Sequence, residues 1–163
     1  MRLFRTAALL ALILAAPVAM AQEDQSPHWH VATANPDLLL AVDVHGAVEK
    51  GDQIRRTQAA IYFPKTDSTA EGPMDFSVMV NDFDCGSPGR YRIVSAESYT
   101  ANVKDAIATV DQPREWKTSQ PNSSVYDAWQ AVCVGPEPKS ALLGFSTHEA
   151  ILSKYRQMSA SME

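Results

Sequence analysis

Most of the residues that could do chemistry in this 163-residue chain lie in a few short stretches. In "NDFDCGSPGRYRIVS", Asn81 to Ser95, two acids (Asp82, Asp84) precede Cys85, and two arginines (Arg90, Arg92) follow a Gly-Ser-Pro-Gly turn. Paired arginines can hold a carboxylate or a phosphate in a bidentate grip. Acids so close by give a second reading, in which the charges lock a hairpin. Antiparallel partners keep a constant index sum, so setting Asp84 opposite Arg90 sets Asp82 opposite Arg92. Each facing pair then contributes roughly 0.2–1 kcal/mol. On that reading, exchanging the charges of Asp82 and Arg92 together preserves the hairpin, while either single reversal does not.

His28 and His30 stand at i, i+2 and share a face if the segment is a strand. Two such imidazoles could serve a divalent metal or a haem iron, and the competing reading is a solvated polar pair. Cys85 and Cys133 are the only cysteines. An even count in an exported chain implies a disulfide, against the alternatives of two buried thiols or a metal pair. A bridge closing so long a loop is worth about 4 kcal/mol on the chain-entropy model. Serine-nucleophile, zinc-protease and phosphate-loop motifs do not occur. His148-Glu149 lacks a second histidine at helical offset, and Ser153-Lys154 are adjacent and cannot face each other on a helix. The chain is read as non-enzymatic, with no cofactor.

The elements that must position these residues begin after residue 21. Arg2 and Arg5, an apolar run over Leu3 to Leu14 and the Ala19-Met20-Ala21 pattern read as a signal peptide, with Gln22 the first mature residue. The run of about a dozen residues falls short of the roughly 20 that a spanning helix needs. No cysteine stands near the cleavage site, so no lipid anchor is expected. Removing residues 1–21 takes away two arginines and no acid, so the net charge moves from −5 to −7. An acidic chain argues against nucleic acid or an anionic membrane surface as partner.

Strands are expected over His28–Thr33, Leu38–Val44 and Gln53–Phe63, the last ended by Pro64, with a loop over Lys65–Pro73. Met74–Cys85 carries Phe76, Val78 and Val80 on one face and Met79 and Phe83 on the other, which predicts a central strand covered on both sides. Arg90–Thr100 completes the hairpin, and a short strand follows near Ile107–Val110. Val125, Ala128, Trp129 and Val132 fall at helical spacing, with Asn122 or Ser123 as cap and Cys133 at the end. Ser146 and Glu149 form a capping-box pattern for a second helix, whose apolar face is read as Ile151, Tyr155, Met158 and Met162, packed on the parent domain. Trp29, Tyr91, Trp116 and Trp129 are read as core aromatics.

"WHVAT", "AVD", the block "DFDC…GRYRIVS…SYT", the tryptophan of "EWKT" and the late "AVC" follow one another in an order that resembles the surface-adhesin protein E family. The likeness runs from about Trp29 to Gly135. The resemblance implies an antiparallel sheet of about six strands with a helix fixed to one face by the disulfide. It also implies an envelope or surface protein of a Gram-negative bacterium, whose named members adhere to host proteins.

The expectation is therefore an α+β protein with an antiparallel sheet of five or six strands, a disulfide-tethered helix and a further C-terminal helix. Residues 1–21 are the signal peptide, 22–135 the adhesin E-like domain and 136–163 an extension. Its expected role is to bind a protein or peptide through a sheet edge or face, in the periplasm or at the cell surface. The alternative is a periplasmic carrier with an apolar ligand pocket between sheet and helix.

Overall fold

The computed structural model describes residues 29–69, 72–101, 105–111, 113–135 and 147–162. Residues 1–21, where the signal peptide is expected, His28 and Ser146 lie outside the described residues. The strands are β1 (Trp29–Ala34), β2 (Leu39–Asp43), β3 (Val48–Glu49), β4 (Ile54–Thr69), β5 (Gly72–Asp84), β6 (Arg90–Tyr99), β7 (Ala108–Val110) and β8 (Lys117–Thr118). Two helices follow, α1 (Ser124–Cys133) and α2 (His148–Ser159). The strands form one antiparallel sheet in the order β1-β2-β4-β5-β6-β7, with β3 added beside β4 and β8 beside β6.

Period-two alternation sorts the apolar residues into two cores on opposite faces of this sheet. Leu39, Ala41, Ala60, Tyr62 and Phe76 pack with Trp29 and with Ile151, Leu152 and Tyr155 of α2. Their strand neighbours Leu40, Val42, Ala59 and Phe83 pack with Ala128, Trp129, Ala131 and Val132 of α1. The result is three layers, helix on sheet on helix. β2 is buried along its whole length, as a strand covered on both faces must be. β5 divides as expected, with Phe76 and Val78 toward α2 and Met79 and Phe83 toward α1.

Several sequence expectations need correction. Pro64 does not end its strand: β4 continues to Thr69, and the Lys65–Pro73 segment is largely hairpin. The register breaks between Tyr62 and Asp67, and at such an irregularity a residue without an N–H costs the ladder nothing. The connection after β2 also pairs briefly, as β3, and the Trp116 region feeds β8 onto the edge of β6. In α2 the N-cap is Thr147, whose hydroxyl accepts from the Ala150 N–H. The buried face of that helix is Ile151, Leu152, Tyr155 and Ser159, whereas Met158 and Met162 are exposed. A face rotated by one residue from the expected one results.

Candidate functional site

α1 is held at the hairpin tip by contacts from every side. Ser123 caps it by accepting from the Tyr126 N–H, and the helix carries no basic residue in its last turn. Arg55 of β4 supplies that charge, donating to the Val132 carbonyl at 2.8 Å, where the helix dipole favours a cation. Trp129 Nε1 donates to the Asp84 carbonyl at 2.8 Å, and Cys85 is bonded to Cys133. Gly89, at φ +71°, lets the tip approach closely: a Cβ there would meet the Ser119 carbonyl oxygen at 2.7 Å and the Tyr126 ring at 2.9 Å.

β5 and β6 pair with Asp84 opposite Arg90 and Asp82 opposite Arg92. Arg90 Nη1 donates to Asp84 Oδ2 at 2.9 Å. Arg92 Nε and Nη2 donate to Asp82 Oδ2 at 2.9 and 2.8 Å. The sequence reading missed a third arginine. Arg56 of β4 lies opposite Asp82 on the other side of β5, and its Nε and Nη2 reach Asp82 Oδ1 and Oδ2 at 2.7 and 2.9 Å. A constant index sum carried from the β4–β5 turn would not have found it, because the register shifts between Tyr62 and Asp67. With this third partner, an arginine at position 82 would also face Arg56, so exchanging the charges of Asp82 and Arg92 is expected to disturb the hairpin.

The carboxylate of Asp82 is 1% exposed, while the side chains of Arg56, Arg90 and Arg92 are 33%, 43% and 29% exposed. Burial pushes the Asp82 carboxyl up, but hydrogen bonds and charge from Arg56 and Arg92 outweigh it and hold the group below its ordinary range. Trp116 belongs to neither core. It is partly buried, with the guanidinium carbons of Arg90 and Arg92 each 4.8 Å from its ring centre. Two cation–π contacts of roughly 0.5–1 kcal/mol each account for its position. Of the other expected core aromatics, Trp29 and Trp129 are buried and Tyr91 is partly buried against the α1-side core.

At its other end the same sheet face carries α2. Asp75, also unnoticed in the sequence, is 3% exposed and accepts from Thr66 Oγ1 and the Ala101 N–H, both at 2.7 Å, and from Arg156 of α2. Burial raises its carboxyl, and these donors together lower it further than burial raises it. His148 sits at the start of α2 among the rings of Trp29, Tyr62 and Phe76, with Nδ1 2.7 Å from the Tyr62 hydroxyl. Burial lowers its pKa from 6.5, and the neighbouring Glu149 opposes this only in part.

His30 is buried on β1, its ring 5.5 Å from that of His45, so it is not a solvated residue. Among the described residues no group of three or more His, Cys, Asp or Glu side chains could hold a metal ion. The two helix–sheet layers hold the cores described above. A cleft of about 490 Å³ runs along α2, lined by Ala101, Glu149, Leu152, Ser153, Arg156 and Gln157.

The model of the surface-adhesin protein E family matches residues 29–134, a span that holds the eight strands of the described residues and α1. The chain belongs to that family. α2 lies outside the matched span. Among solved structures the chain is similar to Haemophilus influenzae protein E, with 14% identity, a TM-score of 0.46, and 68% of this chain and 86% of that one covered. A second crystal form of that protein gives 12% identity and a TM-score of 0.45, covering 58% and 80%. Protein E from non-typeable Haemophilus influenzae gives 12% and 0.44, covering 82% and 89%. No curated protein matches the chain in sequence.

Proposed function

We propose that this protein works outside the cytoplasm as a non-enzymatic envelope protein that binds a protein or peptide partner through an open part of its sheet. The observation that carries the reading is the half-covered face. Along β5, α2 packs over Phe76, and Asp82 lies six residues further along, about 20 Å away at the rise of a strand. Between them the register aligns Gln58, Val80 and Ser95, then Arg56, Asp82 and Arg92. Gln58 is exposed, and none of these residues belongs to the α2-side core. Arginine and tryptophan are the side chains that most often dominate binding energy at interfaces, and here both are already fixed in place, so little ordering is needed on binding.

Family membership supports the adhesive role and the envelope location. The disulfide is consistent with an oxidising compartment.

The test is a photo-crosslinking side chain at Gln58, with Ser153 on the exposed side of α2 as control, irradiated in the native envelope. An adduct from position 58 and none from 153 is the expected result. Equal labelling at the two positions, or none at 58, would refute the reading.

A further inference from the structure

We infer that the partner presents carboxylates: the face built by Arg56, Arg90, Arg92 and Trp116 docks an acidic peptide segment. This rests on the binding role proposed above and names the chemistry of the partner. The argument is a separation of charge by depth. Three guanidinium groups share two carboxylates, and the carboxylates lie beneath them: Asp82 is 1% and Asp84 13% exposed, against 29–43% for the arginines. The surface offered to solvent is therefore cationic on a chain whose net charge is −5.

Arg56 and Arg92 each turn their Nε/Nη2 edge toward Asp82. Among the described residues, the Nη1 groups of both have no partner. A planar guanidinium keeps donors in a fixed fork, so a second carboxylate can be received end-on while the first stays bound. Trp116 prevents the two β6 arginines from folding away, since both rest on its ring.

Next to Arg56, Val48 of β3 lies in register and is 54% exposed, which adds an apolar rim. Besides Asp82 and Asp84, the acids on this face are Asp43, buried on β2 and sharing the face of Ala41 by alternation, and Glu97, which lies toward α2 beyond the row of Gln58, Val80 and Ser95. An extended acidic segment crossing from β3 to β6 would meet Val48, Arg56, Arg92 and Trp116 in turn.

The experiment measures binding of a short fluorescent glutamate–glycine peptide to the purified protein with its disulfide intact, by polarisation. A glutamine–glycine peptide of the same length is the control. Binding of the acidic peptide alone, weakened by salt, is expected. Trp116→Ala and Arg90→Gln should each reduce it by about tenfold, while the remote Lys154→Gln changes it little. Melting curves for each variant separate loss of binding from loss of fold. Arg90 is the least buried of the three arginines and the safest to change.

Unaltered affinity in both site variants, or no preference for the acidic peptide, overturns the proposal. So does displacement of the peptide by inorganic phosphate at equal concentration, which would mark a general anion site. If Gln58 still crosslinks while the acidic peptide fails to bind, the chemistry assigned to the partner is wrong and the protein-binding role stands.

Discussion

Replacing Asp82 by Asn keeps the shape of the side chain and removes the charge that Arg56 and Arg92 share. Four charge-assisted hydrogen bonds between 2.7 and 2.9 Å converge on that carboxylate, which is 1% exposed. Breaking a fully buried ion pair costs about 3–5 kcal/mol. Here the arginines are about one-third exposed, so water can take over part of their solvation, as for surface pairs worth only about 0–1 kcal/mol. A loss of about 2–4 kcal/mol is therefore expected, which corresponds to a fall in melting temperature of roughly 5–15 °C for a chain of this size. Urea unfolding with the disulfide intact measures it, with Asp84→Asn as the comparison. Asp84 holds one more exposed arginine, Arg90, and its loss should cost less than about 1 kcal/mol.

Acid provides an independent arm. The carboxyl of Asp82 is held below 3.8 in the folded protein, so its contribution is present above the unfolded pKa and is lost as pH falls through the folded one. Wild type should lose stability over that acid range more steeply than Asp82→Asn. A variant within 1 kcal/mol of wild type, or no worse than Asp84→Asn, would show that the buried carboxylate is not what joins β4, β5 and β6 at this end.

The remaining expectations concern the two helices. Removing the disulfide as Cys85→Ala/Cys133→Ala should cost about 4 kcal/mol on the chain-entropy model, read as a shift of the urea midpoint; a shift under a quarter of that would mean α1 is held by Trp129 and Arg55 alone. His148 has a folded pKa below 6.5, so the unfolded chain binds more protons as pH drops below that value and stability should fall with it. His148→Gln should flatten the slope between pH 7 and 5, and an unchanged slope would exonerate this residue. Ile151→Ala, at a buried position of α2, should cost about 2–4 kcal/mol, while exposed Met158→Ala should stay within about 0.5 kcal/mol of wild type. Equal effects in that pair would restore the helix face expected from sequence.

Local rules were enough wherever one chain segment set its own geometry. The Gly-Ser-Pro-Gly turn fixed the index sum of its hairpin, so Asp84–Arg90 and Asp82–Arg92 were legible before any coordinates. The same holds for the two-sided apolar pattern of β5 and for the spacing of Ala128, Trp129 and Val132. Helix faces were less secure. The pattern from Ile151 to Met162 admits two stripes one residue apart, and the choice was made by Asp75 gripping Arg156 from another strand. Pro64 misled because a missing N–H was taken to end β4, when the bulge beside it had no need of that donor.

What the sequence determined by itself was the alternation of its strands, the turn between β5 and β6, the presence of both helices and the two sulfurs available for one bond. Tertiary structure decided which residues meet across several strands. Arg56 is 26 residues from Asp82 and 36 from Arg92 in the chain, and only the β4–β5–β6 register places all three in one row. Trp116 looked like core because tryptophans are mostly buried, and it became a platform for two guanidinium groups because β8 docked on β6 at Arg90. Periodicity reports the environment within an element. It carries no information on the sums of register across a sheet, and those sums assembled this site.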